Sequence, residues 1–216
     1  MLEAGKAYSK EFLFIFDHAY LLHDFLPSAE QTPAWELANK FDAQDQTAIF
    51  CSFSKVTFGG GGLSFAAAGT KLFDLLSKQR ASMIVCSDKV NQLRHLGFLK
   101  NKAEVENHMK KHADLVRPKF EAAFNALDAM SPEIGNYKKP TGGYFISFNA
   151  SKPIAKRVIE LCKEAGVLIT PAGSTYPHFN DPQDSNIRLA PTFLGLDDLK
   201  EAMEVFTTAL KIAFEE

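Results

Sequence analysis

No stretch of this sequence approaches the roughly 18 consecutive apolar residues that a membrane-spanning helix requires, so no membrane association is expected. The N-terminal MLEAGKAYSKEF has no continuous apolar segment followed by a small-residue cleavage site. No secretory leader is read there, and the cytoplasm is the expected compartment. Cysteine is scarce: Cys51, Cys86 and Cys162 lie far apart in apolar surroundings, with no CxxC or Cys/His metal spacing. They read as reduced core thiols of an intracellular protein, with no metal site. Charge of one sign is also lacking, since 24 basic and 26 acidic residues leave a formal net charge of -2. That balance excludes an electrostatic footprint for nucleic acid and a polybasic membrane patch, and leaves small-molecule chemistry by elimination.

The chain does have the means to build a core, with 46% apolar and 12% aromatic residues over 216 positions, enough for one large domain or two small ones. FLFIF at 12–16 is an apolar run of strand length that suits a sheet buried on both faces, as parallel sheets are. Asp17 and Tyr20 follow its carboxyl end, where open α/β sheets gather ligand-binding groups. Asp17 suits an Asx turn equally well, Tyr20 a half-buried packing role, and His18 reads as a loop histidine. Residues 33–41 read as a short helix started by Pro33, and 47–53 as a second buried strand. A third strand at 63–68, a helix at 70–78 and a continuation of the sheet at 83–85 complete an α/β pattern.

Beyond 101 the character changes. Val105, Met109, Val116, Phe120, Phe124 and Leu127 recur at threes and fours, which predicts a long amphipathic helix kinked or broken at Pro118. The HMKKH segment inside it reads as a solvated face. GGYFISFN at 142–149 is a half-buried strand and 153–165 a helix that ends at Gly166. Strands at 167–170 and 186–190 flank the long polar loop PAGSTYPHFNDPQDS, and the tail from Leu196 is one amphipathic helix. No internal repeat is present. A boundary near 101–103 separates residues 1–102, a piece of α/β sheet, from residues 103–216, a smaller α+β domain.

The stretch IFCSFSKVTFGGGGLSF at 49–65 organises the rest. Lys55, set between Ser52, Ser54 and a glycine run, sits where strand gives way to loop, so its amine can face a cleft. A solvated lysine and a flexible glycine turn are the ordinary readings of the same residues.

Asp17 with Tyr20, SFSK at 52–55, GGYF at 142–145 and Arg188 within NIRLAP resemble, in order and separation, the second half of a fold type I pyridoxal-phosphate enzyme of the class I aminotransferase group. SKVTFGGGGLSF, DKVNQLRHLGFL, HMKKHADLVRPKF, GGYFISF and GVLITPAGSTYP with NIRLAPTF look most like the MocR-like aspartate aminotransferase subgroup, and the resemblance covers nearly the whole chain. It implies part of the large α/β domain, with a mixed, mostly parallel sheet, over 1–102 and the small C-terminal domain over 103–216.

It also implies pyridoxal 5'-phosphate as cofactor, held as a Schiff base on Lys55, which then serves as the base between Cα and C4′. By the same likeness Asp17 pairs with the ring nitrogen, Tyr20 contacts the phenolic oxygen, and Ser52 and Ser54 contact the phosphate. Arg188 clamps the substrate α-carboxylate through a bidentate fork. The implied reaction exchanges an amino group between an L-amino acid, aspartate by subgroup likeness, and 2-oxoglutarate, in a homodimer. Another pyridoxal-phosphate enzyme on the same scaffold would use the same Lys55 and Asp17. A non-catalytic ligand-sensing or remnant aminotransferase-like domain is the reading from a different class.

Two departures from the family stand out. GGGGLSF lacks the phosphate-binding arginine of many class I members, so the phosphate charge is expected to fall on backbone amides, serines and a group outside the chain, with Ser64 a substitute candidate. The family's earlier half, with its ring-stacking aromatic, is also expected to lie outside the chain. The 216 residues are then expected to retain cofactor weakly or not at all alone, and FLFIF to have an uncovered face.

Overall fold

The computed structural model describes residues 1–27 and 33–216. They form two compact units: one of Met1–His23 and the described residues from 33 to Lys110, the other of Asp24–Pro27 and Lys111–Glu216.

In the first unit, β1 (Phe14–Asp17), β2 (Thr47–Ser52) and β3 (Ser64–Ala68) make a three-stranded sheet in that order. β1 runs parallel to β2, with Asp17 opposite Phe50, and β3 runs antiparallel to β2, with Ser64 opposite Ser52. The parallel pairing brings the carboxyl ends of β1 and β2 to the same end of the sheet. Helices α1 (Leu2–Tyr8), α2 (Ala34–Lys40), α3 (Thr70–Met83) and α4 (Lys89–Phe98) complete the unit. Thr47, the first residue of β2, is buried, and its hydroxyl donates to Ala43 O at 2.8 Å, which satisfies the group; Ala38, Ala43 and Ala48 are buried as well.

FLFIF is not buried on both faces: Leu13 and Ile15 are 52% and 59% exposed. Phe12, Phe14 and Phe16 share the other, half-buried face, their rings 6.1 and 5.6 Å apart in sequence order. Residues 83–85 do not extend the sheet. The helix-favouring run LLSKQRASM carries α3 on to Met83, and Asp88 then caps α4 by accepting from Asn91 N–H at 3.0 Å. No helix was expected at α4, because its apolar residues Val90, Leu93 and Leu96 are exposed and trace no buried stripe. The reading of Cys86 as a core thiol is likewise corrected, since this linker leaves it exposed; Cys51 is half-buried, and only Cys162 is buried. Burial pushes the Cys162 thiol up to about 11.

Helix α5 (Lys102–Asp128) begins in the first unit and continues into the second without breaking at Pro118. An interior proline costs about 3 kcal/mol. The buried side chains of Val116, Phe120, Phe124 and Leu127 around it contribute about 1.5–3 kcal/mol each, so packing wins.

In the second unit, β4 (Gly135–Tyr137), β5 (Ile146–Ala150) and β6 (Asn186–Leu189) form an antiparallel sheet in that order, accompanied by α6 (Ala155–Glu164) and α7 (Leu196–Glu215). Phe120, Ile146, Val158, Ile187, Phe206 and Leu210 are the buried centre of its core. Asp24–Pro27 is stitched into this unit. Phe25 N–H donates to Thr141 O at 2.9 Å, its ring stacks on Phe120 at 4.2 Å, and its carbonyl accepts from Arg117 Nε at 2.9 Å. Residues 167–170 are not the strand their composition suggested. Gly166, at φ 86°, closes α6, and Val167 N–H is taken by Cys162 O at 2.8 Å, which leaves the segment outside the ladder.

Candidate active site

The first unit gathers five of the six expected site residues at the carboxyl ends of β1 and β2. His18 N–H donates to Phe50 O at 2.7 Å, continuing the ladder one residue past Asp17. Asp17 Oδ1 then accepts from Ala19 N–H at 3.1 Å, the Asx turn that swings the chain toward Tyr20. The Lys55 amine lies 4.8 Å from the centre of the Tyr20 ring, an attraction worth about 0.5–1 kcal/mol for an exposed pair.

At the end of β2, Ser52 Oγ accepts from Ser54 N–H at 3.0 Å and lies 2.8 Å from Ser54 Oγ. The Ser64 hydroxyl, across the antiparallel pair, reaches Ser52 Oγ at 3.5 Å. Three hydroxyls therefore converge beside the lysine turn. The glycine run is shaped to leave them room, since a Cβ on Gly62 would sit 2.4 Å from Ser54 Oγ and 2.5 Å from its backbone nitrogen. Gly62→Ala is expected to displace Ser54 and destabilise the protein by about 1–3 kcal/mol, measured by denaturant unfolding.

Four histidines escaped the sequence reading. His23 Nε2 donates to Lys55 O at 3.1 Å, His108 Nε2 donates to Val56 O at 2.6 Å, and His95 Nε2 lies 2.9 Å from the Thr57 hydroxyl. His112 Nε2 lies 2.9 Å from the Tyr144 hydroxyl in the second unit. The HMKKH face is thus not simply solvated: Met109 is buried and both its histidines bond inward. Two of these four partners are backbone carbonyls, which leave no residue-type signal in a sequence.

Arg188 belongs to the second unit, on β6 opposite Ser147. Its guanidinium lies 4.8 Å from the centre of the Phe145 ring, and its Nε is buried with no hydrogen-bond partner among the described residues. It joins no ion pair among them either. A buried donor left unmet costs about 1–3 kcal/mol, so the side chain is poised for an acceptor.

The loop leading to β6 is held by Asp181, whose carboxylate accepts from Gln183, Ser185 and Asn186 N–H at 3.0, 2.8 and 2.8 Å. Burial pushes this carboxyl up, but backbone N–H groups of Asn186, Ser185, Gln183 and Asp184 outweigh it and hold the group below its ordinary range. Asn186 extends the brace, donating to Ser147 Oγ at 2.9 Å and Asn149 Oδ1 at 2.8 Å. Asp181→Ala is expected to lower stability at neutral pH by about 2 kcal/mol. Because the folded-state pKa is depressed, that contribution is full above the unfolded value of about 3.9 and is lost as pH falls through the folded value. Unfolding of both proteins across pH should show the gap closing in acid.

The fold is that of aminotransferases. The chain is similar to the crystal structure of a Corynebacterium diphtheriae protein described as an aminotransferase, at 35% identity and TM-score 0.90 over 94% of this chain and 51% of that one. LysN, the alpha-aminoadipate aminotransferase of Thermus thermophilus, solved with N-(5'-phosphopyridoxyl)-L-leucine, shares the fold at TM-score 0.80 and 23% identity, over 99% of this chain and 53% of that one. The chain belongs to the aspartate amino-transferase family, whose model matches residues 1–216. An aspartate aminotransferase of Corynebacterium glutamicum is 33% identical over 218 aligned residues, covering 100% of this chain and 50% of the relative. The chain spans about half the length of the curated relatives it matches. Among the described residues no helix is long and apolar enough to cross a membrane, and no group of side chains could hold a metal ion.

Proposed function

We propose that the protein carrying this chain is a pyridoxal-phosphate-dependent aminotransferase with Lys55 as its catalytic amine. The observation that carries the reading is the Lys55 amine over the Tyr20 ring, beside converging serine hydroxyls, at the end of the two parallel strands that also present Asp17. The donor set fits the cofactor. The Ser52, Ser54 and Ser64 hydroxyls and the space kept open at Gly62 suit a phosphate, and the Asp17 carboxylate suits a cationic ring nitrogen.

When bound, pyridoxal phosphate supplies an aldehyde and an electron-withdrawing ring. Lys55 Nζ supplies the amine and, once neutral, takes and returns the proton at the substrate Cα. Asp17 would hold the cofactor by stabilising positive charge at its ring nitrogen, and the Tyr20 hydroxyl would serve as a donor to its phenolic oxygen. Arg188 binds the substrate α-carboxylate through a two-pronged fork that its unmet Nε prepares.

The finer assignment is aspartate as donor and 2-oxoglutarate as acceptor, supported by the family and by the name of the Corynebacterium glutamicum relative. The motif likeness supports the MocR-like subgroup, a homodimer in the cytoplasm, and a division into a cofactor domain over 1–102 and a small domain over 103–216. Amino-group exchange with 2-oxoglutarate should be fastest from aspartate when aspartate, alanine and aminoadipate are compared. Faster turnover of aminoadipate would reject the substrate, and no exchange with any of them would reject the activity.

A further inference from the structure

We infer that His23 and His108 are positioning residues that clamp the two consecutive carbonyls of Lys55 and Val56 and so fix where the lysine amine points. The inference rests on Lys55 being the catalytic amine. The turn from 53 to 57 has three short bonds of its own: Phe53 N–H to Leu63 O at 2.7 Å, Val56 N–H to Phe53 O at 3.0 Å and Thr57 N–H to Phe53 O at 2.9 Å. None of these bonds uses the carbonyl of Lys55 or of Val56.

Both carbonyls are met by imidazole N–H groups from separate parts of the first unit. His23, 3% exposed, follows the Asx turn after β1 and donates to Lys55 O at 3.1 Å. His108, on α5, donates to Val56 O at 2.6 Å. Since a carbonyl only accepts, each ring must carry its proton on Nε2.

α4 adds a third anchor. His95 Nδ1 donates to Asn91 O at 2.9 Å, and its Nε2 lies 2.9 Å from the Thr57 hydroxyl, which itself donates to Phe53 O at 3.0 Å. The Asn91 side chain donates to Gly61 O at 2.7 Å, tying the glycine run to the same helix. The clamp has a clear use. The Lys55 side chain is exposed, and its long stem would sweep a wide volume if its backbone rocked. A displacement of about 1 Å at a reacting group costs up to about 10²-fold in rate. Rigid support beneath a catalytic side chain is what prevents it.

The test compares His23→Phe and His108→Phe, which keep a ring but lose the donor, with His23→Gln and His108→Gln, which keep an N–H at similar reach. Two readouts are taken: amide hydrogen exchange of the peptide covering 53–57, and kcat and KM for amino-group exchange. Each Phe variant should exchange at least about tenfold faster in that peptide alone and lose about tenfold in kcat at unchanged KM, while each Gln variant stays within about twofold of the parent. Exchange in 53–57 that is unaltered in the Phe variants overturns the clamp, as does Gln failing to rescue while the rest of the protein keeps its protection. Should a Phe variant not fold, the Gln variant of the same histidine decides: parental exchange and kcat support the clamp, and faster exchange in 53–57 with lower kcat overturns it. The exchange readout does not depend on what Lys55 does, so it separates failure of the clamp from failure of the lysine assignment.

Discussion

Lys55→Ala is expected to lower amino-group transfer by at least about 10³-fold while leaving the fold intact. The side chain is exposed, and the attraction to the Tyr20 ring that its loss removes is worth about 0.5–1 kcal/mol. The kinetic loss is far larger because two functions end together, the amine that captures the cofactor and the base that shuttles the proton, and a positioned base alone is worth about 10²–10⁴-fold. An added small amine should restore part of the proton transfer, since it can diffuse into the space the side chain vacates. A variant that kept more than a tenth of the parent rate would remove Lys55 from the chemistry.

Arg188→Ala should reduce kcat/KM for amino and 2-oxo acids by about 10²-fold or more, because truncating one partner of a desolvated, hydrogen-bonded charge pair costs about 2–5 kcal/mol. Its signature is in the substrate. Amino acid amides, which lack the carboxylate, should be affected little, and Arg188→Lys should recover only part of the loss because an ammonium cannot present the fork. Stability should barely change. The attraction to the Phe145 ring is given up, but so is the cost of a buried Nε that has no acceptor among the described residues. If amides and free acids suffered equally, the arginine would be acting on something other than the α-carboxylate.

Much of this was legible in the sequence where periodicity was strong. The apolar spacing of α5 and α7 reports a face that is buried by the chain's own residues, whereas β2 was read as a strand in the right place but not as a buried one: only Thr47 and Ala48 are buried and Phe50 is exposed. FLFIF read alone suggested burial on both faces, because an apolar run says what a strand would bury, not whether anything covers it; the uncovered face expected from the family likeness is the one Leu13 and Ile15 present to solvent. Residues 167–170 misled in the same way, being β-branched enough for a strand but committed to closing α6 through Val167.

The candidate site was legible at Lys55, Ser52 and Ser54, because a lysine between hydroxyls and glycines is a distinctive grouping. The support beneath it was not. His23, His95 and His108 lie 32, 38 and 52 residues from their partners, and two of those partners are bare carbonyls that any residue would offer. Asp181 was hidden for the same reason, although its place in a polar loop rich in Asp, Pro and Ser fits a side chain that organises backbone N–H groups.

The most direct measurement is reduction of the protein with borohydride in the presence of pyridoxal phosphate, followed by peptide mapping. A single pyridoxyl group on the Lys55 side chain is the outcome required by a lysine held over Tyr20 beside three serine hydroxyls. A label on another lysine, or none, would contradict the assignment at its root.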